Sequence, residues 1–206
     1  MKKLHESLFI LHKCDLNIRT VWDAIKKHQN QGALISLHHF TINLTHYIIL
    51  ETQSFLEEYQ KYFVAKNVEI EYNERVLVAR KICKPLFQQI AKWKGLKDFR
   101  DNIIAHPWRN GNEIIVPLNR KFDIPRTWIE FQFLKDLVHY MHEIISGEFT
   151  IEMNESLFYG NELSEDVPAK FNIDKINEEI KILHEKLSKN TELETRNYNI
   201  QIFTYS

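Results

Sequence analysis

"FRDNIIAHPW", residues 99–108, places an arginine, an acid and a histidine in one short run that a proline closes. Pro107 disfavours the helical region for His106, so a helix that begins after Gly95 is expected to span about 96–105 and stop near the histidine. A short helix late in the chain, ending on ionisable groups, sets the question for everything around it. It is either the frayed end of a surface helix or a site that handles phosphate.

Outward from this stretch the chain reads as helices. Residues 6–28 carry Leu8, Leu11, Leu16, Val21, Trp22 and Ile25 near helical spacing. "NQG" at 30–32 breaks that pattern, and a longer helix is expected over 33–64. A third spans 72–92, with Pro85 as a kink. Past the motif, "RNGNEIIVPLN" (109–119) reads as a turn with a short extended piece, a small hairpin. A fifth helix over 126–147 has Trp128, Phe131, Leu134, Leu137, Val138 and Met141 on its apolar face. Residues 148–172 read as irregular, with a short strand at "EFTIEM" (148–153). Residues 173–189 form an amphipathic helix on Ile173, Ile176, Ile180, Leu183 and Leu187, and "NYNIQIFTYS" (197–206) reads as a strand or a packed tail. The expected fold is an all-α bundle of four to five core helices over 1–150. Residues 151–206 are expected to form an appendage packed on the bundle or on a dimer mate, not an independent domain.

Bulk composition fits this. Five Gly and five Pro in 206 residues are too few for many tight turns. No run of 18 apolar residues occurs and the N-terminus lacks a signal-peptide pattern, so a cytoplasmic location without membrane contact is expected. Cys14 and Cys83 lie in apolar helical contexts and read as buried thiols rather than a disulfide. The net charge of −1 hides an asymmetry. Residues 75–126 hold 12 Lys+Arg against 4 Asp+Glu, a balance of +8, whereas 148–195 hold 5 against 12, a balance of −7. A basic block is the footprint nucleic acid requires. A solvated helical face, or an acidic tail folded over the basic block, would give the same count.

The motif residues suit phosphate chemistry. Arg100 is a permanent cation with a planar fork matched to phosphoryl oxygens, and His106 exchanges a proton near neutral pH. Cleavage of an RNA phosphodiester by its own 2′-hydroxyl needs a base, an acid and a cation, and no metal. Six residues of α-helix turn through about 600°, which leaves the two side chains about 120° apart. They meet only if the helix ends before His106 or if two copies of the helix pack together.

The run "RDNIIAH" (100–106), within the wider "LKDFRDNIIAHPWRNGNE" (96–113), resembles the HEPN superfamily signature, an arginine followed at four to six residues by a histidine, with a polar residue after the arginine. The abortive-infection and toxin-type bacterial members are the most similar, over about 15 residues; beyond them the likeness is in helix order and length. The resemblance implies an HEPN-like bundle that dimerises across the motif helix. It also implies a metal-independent endoribonuclease acting in phage defence or a toxin–antitoxin pair, with a nucleotidyltransferase-type antitoxin as a further partner. Carried over, Arg100 contacts the scissile phosphate, His106 is the general acid/base, and Asp101 orients one of them or holds the dimer cleft. Asn110 stands where some toxin members carry a tyrosine, a departure that weakens the likeness to that subgroup. Other members only bind RNA, nucleotides or partner proteins, and that is the second reading.

Lys97, Asn102, Arg109 and Asn110 are candidate RNA contacts, although Arg109 and Asn110 also suit a plain polar turn ahead of Gly111. Trp93, Trp108 and Tyr140 could stack on bases, while Trp128 reads as core. No metal or other cofactor is expected. His39 and His46 on the second helix, with His139 and His142 on the fifth, could make a helical-bundle metal site, a third reading. No Glu-x-x-His pair repeats on two helices, and "HHFTINLTH" (38–46) is core-like, so packed or surface histidines are preferred.

Overall fold

The computed structural model describes residues 3–29, 36–104, 109–110, 113–114 and 122–162, together with 174, 175, 177, 178, 181, 182 and 185. Side chains in the three long stretches are described over 3–27, 41–102 and 122–158. The chain divides into two compact units, Met1–Leu163 and Ser164–Ser206. The first unit is an all-α bundle.

Helix α1, Lys3–Gln29, is built on a seam spaced alternately four and three residues apart: Leu4, Leu8, Leu11, Asp15, Ile18, Trp22 and Ile25, each at most 1% exposed. That spacing keeps one face inward along the whole helix. Leu16, expected on the apolar face, is exposed, and a carboxylate holds the middle of the seam instead. Helix α2, Ser36–Glu57, packs on α1 and contributes Ile48, Ile49 and Phe55 to the core. It ends in a π-helical turn, Glu58–Tyr62. Arg80 satisfies the carbonyls freed there, donating from Nη1 to the oxygens of Tyr59 and Phe63 while its guanidinium lies over the Tyr59 ring.

Two short 3₁₀ turns lead to α3, Asn73–Ile90, which runs through Pro85. Helix α4, Leu96–Phe99, continues directly into a second π-helical turn, Arg100–Ile104. Its start is pinned by a close backbone approach. Gly95 N–H donates to the Asp123 carbonyl at 2.8 Å, and a Cβ on Gly95 would stand 2.4 Å from Asp123 N. Strands β1, Arg109–Asn110, and β2, Glu113–Ile114, pair antiparallel as a minimal hairpin.

Helix α5, Trp128–Glu148, opens with a capping box in which Thr127 and Glu130 satisfy each other's backbone N–H groups. Its buried face includes Phe131, Leu134, Leu137, Val138 and Met141, as the periodicity anticipates. Trp128 stacks on Trp22 at 3.8 Å between ring centroids, a core contact joining α5 to α1. Cys14 and Cys83 are free, buried thiols, and burial pushes both up to about 12.

The strand expected at 148–153 is helical. After a break at Phe149, α6 runs from Thr150 to Glu162 and packs on α1. The alternation of Phe149, Ile151 and Met153 suggests a strand, yet Ile151 is 71% exposed while Phe149, Met153 and Ser156 are buried, which is helical spacing. Arg75 on α3 fixes the junction: it pairs with Glu152 at 2.6 Å and Glu148 at 3.2 Å and lies over the Phe149 ring. The bundle unit therefore reaches Leu163, beyond the boundary expected at 150. In the second unit the seven described positions between 174 and 185 are helical. Residues 197–206 lie outside the described residues.

Candidate functional site

Arg100 begins the second π-helical turn, and Glu57 is the last residue before the first. Their side chains meet: Arg100 Nη1 donates to Glu57 Oε2 at 3.1 Å. On the other side of the fork, Nε and Nη2 both reach Asp101 Oδ1, at 2.8 and 2.7 Å. Glu57 also accepts from Lys61 one turn on. Hydrogen bonds from Lys61 and then Arg100 hold the Glu57 carboxyl below the usual carboxylate range. The guanidinium is thus fixed in plane by two carboxylates, with its side chain 20% exposed.

These residues line an open cleft of about 260 Å³ between the end of α2, the end of α3 and the start of α4. Lys61, Lys94, Lys97 and Arg100 face it against the single carboxylate of Glu57. Gln53 and Gln60 add neutral polar groups, and Trp93 forms part of the wall. Trp93 is half-buried and edge-on to Phe133, so it is a fixed aromatic surface rather than a loose side chain.

Of the residues singled out from sequence, Arg100, Asp101 and Lys97 come together here. Asn102 does not: its amide donates to the Asp98 carbonyl at 2.7 Å and is used within its own helix. His106 and the side chains of Arg109 and Asn110 lie outside the described residues, as does Trp108. The 600° argument also needs revision, because residues 100–104 are wound as a π-helix and not as an α-helix. Glu57, Lys61 and Lys94 were not anticipated. The Glu57–Lys61 pair at i, i+4 is legible in the sequence, but nothing local announces that it lies against a residue 43 positions on.

The described histidines of the third reading divide between two places. His46 packs edge-on against Phe99 at 5.1 Å, beside the motif helix, and burial holds its imidazole below the usual range. The side chain of His39 lies outside the described residues. His139 and His142 instead gather around Asp15 of α1, with His12 behind them.

No protein-family model, no curated protein and no solved structure matches this chain.

Proposed function

We propose that the cleft at Arg100 binds the phosphate backbone of RNA and that the chain is a metal-independent endoribonuclease of HEPN type. The observation that carries this reading is the Arg100 fork, held in plane by Asp101 and Glu57 in a cleft where four cations face one carboxylate. A pre-oriented guanidinium at a phosphate stabilises charge as it develops, with little reorganisation at the moment of reaction. The pair stands at the start of two π-helical turns, which adds support, since such turns recur at functional sites.

In this reaction the RNA 2′-hydroxyl attacks the neighbouring phosphorus and the P–O5′ bond breaks. One proton leaves O2′ and one reaches O5′, leaving a 2′,3′-cyclic phosphate and a 5′-hydroxyl. His106 moves the proton, and Arg100 balances the charge on the phosphoryl oxygens. Asp101 positions Arg100, and Lys97, with Arg109 and Asn110, holds the flanking backbone. Dimerisation through the motif helix would bring a second His106 to the cleft. Cytoplasmic action in phage defence or opposite an antitoxin is part of the same proposal and rests on the resemblance alone.

A binding module without catalysis is the second reading, and one observation favours it. The Arg100 fork is already engaged by two carboxylates, so a phosphate must displace Glu57 to use it fully. Cleavage of a mixed RNA pool in EDTA, with helicity followed by circular dichroism in the same buffer, separates the two. Cleavage by wild type, with cyclic-phosphate ends, that disappears in His106→Ala and Arg100→Ala is the expected result. Retention of RNA without cleavage by any of the three establishes the binding module. Equal cleavage by all three rejects both readings of this cleft.

A further inference from the structure

Asp15 occupies a core position of α1, and its side chain is 1% exposed. A lone carboxylate in that seam is costly unless cations or donors surround it. Two histidines of α5 approach it at i and i+3. His139 Nδ1 stands 3.2 and 3.3 Å from the two carboxylate oxygens, and His142 Nδ1 stands 3.4 Å from Oδ2. Charge-assisted hydrogen bonds of this kind close to about 2.7–2.9 Å. Tetrahedral coordination with bonds of about 2.0–2.1 Å instead spaces its ligand atoms about 3.3 Å apart.

The ring of His142 supplies a second, independent observation. Its side chain is 6% exposed, and its Nδ1 makes no hydrogen bond among the described residues. Its Nε2 is engaged on the far side, 3.0 Å from Ser146 Oγ and 3.2 Å from His12 Nδ1. With the ring proton on Nε2, donated to one of these, Nδ1 presents a lone pair to a buried carboxylate. In that tautomer a cation between Nδ1 and the carboxylate would satisfy both lone pairs.

We propose that Asp15, His139 and His142 bind a divalent transition-metal ion of the zinc class, clamping α1 to α5 with a fourth position open to water beside the half-buried His139. Two imidazoles and one carboxylate are a donor set suited to zinc. Arg19 Nε donates to Asp15 Oδ2 at 2.9 Å and fixes the orientation of the carboxylate. His12 and Ser146 orient His142 from behind, as the outer partners of metal-bound histidines do. No residue of the group lines the Arg100 cleft, so the site stands or falls apart from the ribonuclease proposal.

Cobalt(II) titration of the full chain, read by visible absorption and by equilibrium dialysis, tests the assignment. The expected result is one cobalt per chain, with the intense absorption of tetrahedral coordination and displacement by zinc. His139→Ala, at a position exposed enough to spare the core, is expected to weaken binding about 100-fold, and His12→Ala about 10-fold. Circular dichroism confirms that both variants fold. A wild-type chain that binds neither metal overturns the proposal, as does a folded His139→Ala that binds as tightly as wild type.

Discussion

Two charged groups organise this bundle, and they obey opposite economies. The Arg100 cluster sits where helices end, with Glu57, Asp101 and Lys61 reaching water. The Asp15 cluster sits mid-helix, in the α1–α5 seam, with Asp15 and His142 almost wholly enclosed. Exposed ion pairs contribute little to stability, because water and salt compete for each partner. Their use is to hold a geometry and to exchange partners cheaply, which suits a surface that meets polyanions. Enclosed charges cannot exchange partners without cost, which suits a fixed site. Substitutions in the cleft should therefore change function and leave stability nearly intact, and substitutions in the seam should do the reverse.

The largest expected effect is in the cleft. Arg100→Ala should lower RNA cleavage by about 10²–10³-fold, the scale of losing one oriented charge partner at a transition state. Its urea midpoint should stay close to wild type. Arg100→Lys sharpens the point: it keeps the charge but loses the planar fork, and most of the cleavage should go with it. A large fall in the urea midpoint of either variant would show that the pair is structural and break the comparison.

Asp15→Ala is the counterpart in the seam. It should cost about 2 kcal/mol in urea unfolding, because it strips Arg19 and His139 of their shared partner in the seam. The loss is modest because Arg19 is part-exposed and can turn to solvent. RNA retention should be unchanged. Asp15→Leu separates charge from packing: a stable Leu variant that no longer binds cobalt would show that the carboxylate is kept for the ion and not for the fold.

Acid should distinguish the two regions without any substitution. His12, His46 and His142 all sit below the usual imidazole range, chiefly through burial. Each takes up its proton more readily in the unfolded chain. Stability is therefore fully present above the ordinary imidazole value, about 6.5, and is lost as pH falls from there through the depressed folded values. The unfolding midpoint should drop between about pH 7 and pH 5, and saturating zinc should deepen the loss by dissociating over the same range. The Glu57 carboxyl is held below the usual carboxylate range, which favours its charged form and keeps it ionised throughout that window, so the cleft's own ion pairs should persist there. A midpoint that is flat with pH would contradict the burial of these imidazoles.

How much of this was legible in the sequence follows from the range of each signal. Helical periodicity is local, and it marked the helices of the bundle apart from α6, where two-residue alternation and four-residue spacing coincide over Phe149–Met153. The seam of α1 was legible in principle: Leu4, Leu8, Leu11, Ile18, Trp22 and Ile25 leave one gap in a regular series, and Asp15 fills it. An acid at a core position is a stronger pointer to a site than histidines seven apart on a helix, but Leu16 beside it offers an apolar residue near the same spacing and masks it. Pairings between distant segments were not legible. Nothing in "EEYQK" (57–61) or in "FRDN" (99–102) states that Glu57 and Arg100 meet.

The smallest expected effect comes from single contacts at the cleft. Lys97 is exposed and lines it, and it makes no ion pair among the described residues. Lys97→Ala should weaken RNA binding by a modest factor and reduce the slope of log affinity against log salt by about 0.7–0.9, the release of one counterion. Asn102, turned onto the Asp98 carbonyl, serves as the internal control: Asn102→Ala should leave that slope as it is. Filter binding across a salt series measures both. Equal slopes for wild type and Lys97→Ala would move the phosphate path away from the α3–α4 wall. The Arg100 fork would then be a clasp between two helix ends, and the basic block a solvated face.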